Sequence, residues 1–165
     1  MLLAGLLLGL GSIAALAQSS IAAEPLLDKP APQFASQDLN GTPIDFGHFR
    51  GKVVLLNFWA TWCAPCQIEM PIFAQWQRQY GPQGLQIIGI SMDDDPTLAR
   101  KLSAKFKLNY PVAMGDEKLG ELYGGVLGLP LTYLIDRKGI VRAKFQGEIS
   151  AKTIETKLHE LLTQP

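Results

Sequence analysis

The chain of 165 residues holds two cysteines, both in the stretch Thr61-Trp62-Cys63-Ala64-Pro65-Cys66-Gln67-Ile68-Glu69-Met70-Pro71. A Cys-x-x-Cys pair can be a local bridge, half of a metal site or a redox group. A bridge closing so short a loop restricts the unfolded chain little. A structural zinc ion takes four nitrogen or sulfur ligands. Only His48 and His159, far apart in the chain, could join the two thiols. Thiol–disulfide exchange needs only the pair itself. One thiolate attacks a partner's disulfide and the second thiol resolves the mixed disulfide. That chemistry is the expectation, with no metal and no bound cofactor beyond the Cys63–Cys66 disulfide.

The flanking elements must hold the pair in place. Residues 53–60, "VVLLNFWA", are apolar almost throughout and suit a central strand buried on both faces. After the cysteines, Ile68, Ile72 and Trp76 recur at four-residue steps, the period of a helix. Cys63 then sits at the helix N-terminus and Cys66 within its first turn, on a shared face. Free N–H groups and the helix dipole favour a thiolate at Cys63. Such sites lower a thiol pKa from about 8.5 to roughly 3.5–7.5. Cys66, lying deeper, suits the resolving role. Pro65 falls where a missing N–H costs nothing, and Pro71 should bend the helix. Glu69, three residues past Cys66, has two readings: a carboxylate that exchanges a proton with the buried thiol, or a solvated glutamate favoured by the dipole.

Elsewhere, "FASQDLNGTPIDF" reads as a hairpin turned at Asn40-Gly41. Residues 85–92 form a second buried strand. Asp95 and Pro96 start a helix running to about Leu108. "YPVAM" is a short strand, and Asp116 caps a short helix through Tyr123. Strands at 131–136 and 140–146 flank a turn at Arg137-Lys138-Gly139. Ser150 caps a terminal helix with Leu158, Leu161 and Leu162 on one face. Strands joined by a helix should be parallel with a right-handed crossover, and the last hairpin adds antiparallel strands to the same sheet. Asp93-Asp94-Asp95 lacks a full ligand loop and reads as a solvated helix start, not a cation site. His48 has no partner base or nucleophile nearby in sequence and is assigned nothing.

Three segments follow. Residues 1–23 are a signal peptide or N-terminal membrane anchor, 24–33 a proline-rich tether, and 34–165 one domain. Residues 1–17 carry no charged side chain. As a helix they reach roughly 25 Å, a little short of a bilayer core of roughly 30 Å. Ala15-Leu16-Ala17 offers a cleavage site. The first basic residue is Lys29, which departs from a signal's basic start. Cleaved or retained, the segment places the domain outside the cytoplasm. Charge is balanced at 15 basic against 15 acidic residues with no basic stripe, which argues against nucleic acid.

The stretch "VVLLNFWATWCAPCQIEMP" resembles the thioredoxin superfamily. More narrowly, it is similar to the membrane-tethered or secreted TlpA/ResA-like thiol:disulfide oxidoreductases, including the CcmG/DsbE cytochrome c maturation proteins. Trp59, Trp62, Cys63, Pro65, Cys66 and Pro71 match superfamily positions. "GLPLTYLID" resembles the family's cis-proline segment and "KGIVRAKFQG" the hairpin after it. The resemblance runs from about Pro32 to about Leu162. It implies an α/β thioredoxin-like fold: a mixed central sheet flanked by helices, with an N-terminal hairpin and a central αβ insertion between 93 and 123.

It also implies a cis Leu129-Pro130 peptide facing the cysteines, leaving nearby backbone to pair with an extended client. Trp62, Ala64, Pro65, Leu129 and Pro130 would form the client-binding surface. The resemblance gives Glu69 its working role. Asn57 departs from plain thioredoxin, which places a buried aspartate six residues before the first cysteine. Asparagine cannot titrate, so Glu69 is the candidate proton carrier. The implied function is an extracytoplasmic reductant of selected protein disulfides, such as the haem-site cysteines of apocytochrome c. A membrane thiol-transfer protein would be its electron donor. A disulfide-forming oxidant, a thiol peroxidase relative using Thr61, and a copper-binding assembly factor with soft thiolate ligands stay open.

Overall fold

The computed structural model describes residues 26–164, so the expectations for residues 1–23 lie outside the described residues. Strand β3 (Val53–Trp59) is its axis, and every residue in it is buried. Its side chains alternate between two cores, as the two-residue period of a strand requires. Val53, Leu55 and Trp59 enter one core. Val54, Leu56 and Phe58 enter the other.

The sheet runs β5-β4-β3-β6-β7. β4 (Leu85–Ser91) is parallel to β3, and β5 (Val112–Met114) is parallel to β4. On the other side, β6 (Leu131–Ile135) and β7 (Val141–Gln146) complete the sheet in antiparallel sense. Helices α1 (Ala64–Tyr80) and α4 (Ala151–Thr163) cover the first core. Ile154, Leu158 and Leu161 of α4 are almost fully enclosed, each worth about 1.5–3 kcal/mol in apolar burial. The second core lies under a hairpin of β1 (Ala35–Gln37) and β2 (Pro43–Asp45) and under α3 (Glu117–Leu122). The hairpin turns at Asn40-Gly41, with Gly41 at φ 86° as the tight turn needs. Helix α2 (Pro96–Lys105), β5 and α3 are the insertion between β4 and β6.

Two expectations change, and the apolar step Ile68, Ile72, Trp76 marks the helix as expected without marking its buried face. Ile68 is 63% exposed, and α1 instead buries Cys66, Met70, Phe73, Ala74, Trp76 and Tyr80. Helix α2 ends at Lys105 rather than near Leu108, because Lys107 turns left-handed at φ 51°. The stretch expected as a tether is bonded to the domain from Asp28 onward. Asp28 N donates to Val141 O at 2.8 Å, Val141 N to Lys29 O at 3.0 Å, and Ala31 N to Gly139 O at 2.9 Å. These bonds pair backbone groups that a sheet edge would otherwise leave open. No helix among the described residues is long and apolar enough to cross a membrane.

Candidate active site

The cysteines sit where β3 ends and α1 begins. Cys63 is the N-cap of α1, in extended backbone, and its sulfur accepts from Cys66 N at 3.3 Å. An N–H aimed at a cysteine sulfur from a helix N-terminus favours a thiolate there. Cys63 and Cys66 form a disulfide, with Cα atoms 5.3 Å apart. Cys66 is the deeper, 1% exposed against 5% for Cys63. Ala64 and Pro65 occupy the first two helical positions, Ala64 exposed and Pro65 half-buried. Pro71 lies inside α1, which continues to Tyr80.

Trp62, on the turn before Cys63, is 73% exposed, whereas Trp59 is wholly enclosed. The Trp59 indole lies against the backbone of Gly89, where a Cβ would come within 2.9 Å of its Nε1.

The proline segment arrives from β6. Leu129-Pro130 is a cis peptide. Leu131 pairs with Phe58, so Pro130 lies at the end of the sheet where β3 gives way to Cys63. Pro130 is buried and its carbonyl accepts from Gly147 N at 2.8 Å, while Leu129 is half-buried. Leu127, just ahead of them, is 91% exposed. This end of the sheet therefore presents apolar surface and unpaired chain next to the redox pair.

Glu69 is not a solvated glutamate. It is 6% exposed and its Oε2 has no hydrogen-bond partner. Burial first, and the Glu148 charge second, push its carboxyl from 4.5 up to about 7. Burial and then the Glu69 charge push the Tyr110 hydroxyl well above its ordinary range. Asn57, on the face of β3 shared with Trp59, is 2% exposed and donates from Nδ2 to Thr132 Oγ1 at 2.9 Å. A neutral pair therefore occupies a position where an acid could have titrated.

The sequence predicts Asp93 in a solvated helix start, and the structure buries it instead. Only Asp95 caps α2. Asp93 is 7% exposed, and its carboxylate accepts from Thr61 N, from Thr61 Oγ1 at 2.6 Å and from Ser91 Oγ at 2.8 Å. Gln67 of α1 holds the other side of Thr61, donating to its carbonyl at 2.8 Å. The residues just ahead of Trp62 and Cys63 are thus clamped from two elements. The signal for Asp93 was its place, two residues past the last residue of a buried strand. The Thr61 hydroxyl is committed to Asp93, so it is not positioned to activate a peroxide-reactive thiolate.

A helix-capping disulfide, a cis-proline neighbour and a mixed sheet can be compared with known proteins as a unit. The AhpC/TSA family profile matches residues 27–144. The chain belongs to this family. Its relatives place it among the ResA-like thiol-disulfide oxidoreductases of the thioredoxin superfamily. Thiol-disulfide oxidoreductase ResA of Bacillus thuringiensis subsp. konkukian is 36% identical over 137 residues, 82% of this chain and 78% of the relative. Thioredoxin-like protein YneN of Bacillus subtilis is 32% identical over 131 residues, 78% of this chain and 76% of that one. A thiol:disulfide interchange protein of DsbE type from Chlorobium tepidum superposes with a TM-score of 0.76 at 33% identity, covering 82% of this chain and 99% of its own. The ResA-like chain is a thiol:disulfide oxidoreductase with the thioredoxin-like fold expected from its sequence.

Proposed function

We propose that this ResA-like protein works outside the cytoplasm as a reductant of selected protein disulfides. The observation that carries the roles of the two cysteines is Glu69: a buried carboxyl, one turn past Cys66, poised near neutrality at about 7. The Cys63 thiolate attacks a client disulfide, and the displaced client sulfur leaves as a thiolate that takes a proton. Cys66 then gives its proton to the Glu69 carboxylate and attacks Cys63 Sγ. This releases the second client sulfur and forms the Cys63–Cys66 disulfide. Two electrons pass from the pair to the client, and no other cofactor takes part.

Trp62, Ala64, Pro65, Leu129 and Pro130 form the client surface. An extended client strand beside Leu129 gains main-chain hydrogen bonds as in strand addition. Clients are proteins with exposed cystines, apocytochrome c haem-site cysteines being the instance favoured by the family resemblance. A membrane thiol-transfer protein restores the dithiol. The apolar residues 1–17 support an extracytoplasmic setting.

Two measurements test this. Cys66→Ser in the full chain should accumulate mixed disulfides through Cys63, and Cys63→Ser should accumulate none. The reduction potential decides the direction. A value near thioredoxin's, roughly −270 mV, supports the reductant, and one near roughly −120 mV makes the protein an oxidant.

A further inference from the structure

The sheet has two ends with opposite charge. At the redox end, Asp94, Asp95, Asp116, Glu117, Glu121 and Glu148, on the loops and helices that follow β4, β5 and β7, outnumber Lys118 and Lys152. At the other end, where β3 begins and β6 turns into β7, the chain gathers Arg50, Lys52, Arg137, Lys138 and Arg142. Hydrogen bonds draw these together. Arg50 Nη1 donates to Lys138 O at 2.9 Å, Gly51 N to Arg137 O at 2.9 Å, and Arg137 Nη1 to Gly51 O at 3.0 Å. A hollow of about 200 Å³ opens here, lined by Asp136, Arg137, Lys138, Arg142, Leu161 and Gln164. Arg142 is matched by Asp28 at 2.8 Å and Asp136 at 2.7 Å. Among the described residues, Arg50, Lys52, Arg137 and Lys138 have no carboxylate in ion-pair reach. Arg137 is held by backbone carbonyls, among them Gln164 O and Leu162 O at the end of α4, whereas the ammonium groups of Lys52 and Lys138 have no hydrogen-bond partner among the described residues. The seven residues of β3 separate this pole from Cys63, roughly 23 Å of strand.

The N-terminal segment enters the fold at the same pole. Residues 28–31 are bonded to Gly139 and Val141, beside the turn that carries Arg137 and Lys138. Leu27, next to them, is half exposed at 50%. The first described residues therefore join the domain beside its basic pole, not beside its redox end.

We propose that the basic pole is a docking surface for an anionic phospholipid bilayer. Lys52, Lys138 and Arg50 lie toward the headgroup phosphates, and the acidic redox end points away toward clients. The surface is separate from the thiol chemistry, and its test does not depend on turnover. Juxtamembrane cations of this kind act by attraction to anionic lipid, which salt screens.

The test uses the full chain with vesicles of phosphatidylcholine alone and of phosphatidylcholine mixed with phosphatidylglycerol. Wild type should partition more strongly into the anionic vesicles, and high salt should remove the difference. The double variant Lys52→Gln/Lys138→Gln touches no hydrogen-bonded side chain in the structure. It should lose about fivefold for each charge removed. Lys118→Gln/Lys152→Gln makes the same change in net charge near the redox end and should lose nothing. Equal partition of wild type into both vesicle types would mean that the apolar segment alone binds, and would overturn the proposal. Equal losses for the two double variants would also overturn it, since net charge rather than this pole would then govern binding.

Discussion

The Asp93 carboxylate and Thr61, 32 positions apart, are joined through both the backbone and the side chain of Thr61, with Oγ1 at 2.6 Å and N at 3.0 Å. The bond set ties the end of β4 to the turn that delivers Trp62 and Cys63. Asp93→Ala leaves Thr61 N–H, the Thr61 hydroxyl and the Ser91 hydroxyl without their acceptor in a buried site. It should cost about 2–4 kcal/mol in urea unfolding. Asp93→Asn keeps the shape and one accepting oxygen and should cost about half as much. A loss for Asp93→Ala below about 0.5 kcal/mol would show that the clamp does not hold the turn.

Glu69 makes stability and turnover depend on pH in opposite senses. Its carboxyl rises from 4.5 in the open chain to about 7 in the fold. The folded state thus binds the proton more tightly, and its stabilising effect is fully present below pH 4.5. It fades as pH rises and is gone above about 7. The full change is on the order of 3 kcal/mol. Glu69→Gln removes this slope, so the variant should gain on wild type in unfolding experiments as pH goes from 4.5 to 7. In the proposed exchange, resolution of the mixed disulfide uses the Glu69 carboxylate to take the Cys66 proton. Its rate should therefore rise in wild type through about pH 7 and lose that inflection in Glu69→Gln. An unchanged rate profile would remove Glu69 from the chemistry.

The chemistry and the frame were legible because both rest on local patterns. The run Val53–Trp59, the cysteine spacing and the turn residues Asn40 and Gly41 each announce their element within a few positions. The insertion was visible as an extra helix–strand–helix pattern between β4 and β6. What escaped depends on contacts across the chain. Ile68 and Met70 are equally apolar, yet Met70 is enclosed and Ile68 lies open. The choice depends on how α1 rotates over the sheet, not on helical period alone. Asp93 resembles its neighbours Asp94 and Asp95 in type, and only the incoming Thr61 separates a buried acceptor from a solvated acid. Residues 28–31 looked like a linker by composition, and their partners lie more than a hundred positions away at Gly139 and Val141.

Asn57 is a place to install a second buried proton site. It is 2% exposed and bonded to Thr132 at 2.9 Å. In Asn57→Asp, burial should raise the new carboxyl above the usual aspartate value of about 3.9. The folded pKa is then above the unfolded one, so the variant is least penalised in acid and loses stability as pH rises. Urea unfolding at pH 4 and pH 8 should show an added penalty of about 2–4 kcal/mol at the higher pH, with no such step from this position in wild type. A penalty independent of pH would mean that the carboxylate finds solvent or a cation at this site.

Trp62 separates client recognition from exchange chemistry. At 73% exposure it packs little of its surface against the domain, so Trp62→Ala should change stability by no more than about 0.5 kcal/mol. The buried Trp59 fills the core under Cys63, and its truncation to alanine should cost about 3–5 kcal/mol. The exposed indole next to Cys63, with Leu127 91% exposed beside the cis-proline segment, provides apolar area that a folded or extended protein client can cover and a small disulfide cannot. Trp62→Ala should therefore raise KM for a protein disulfide, with kcat for that client nearly unchanged. Turnover of a small-molecule disulfide should stay at the wild-type value. Equal losses on both substrates would instead place the indole in the positioning of Cys63 itself, since only a defect at the thiolate lowers exchange with every disulfide alike.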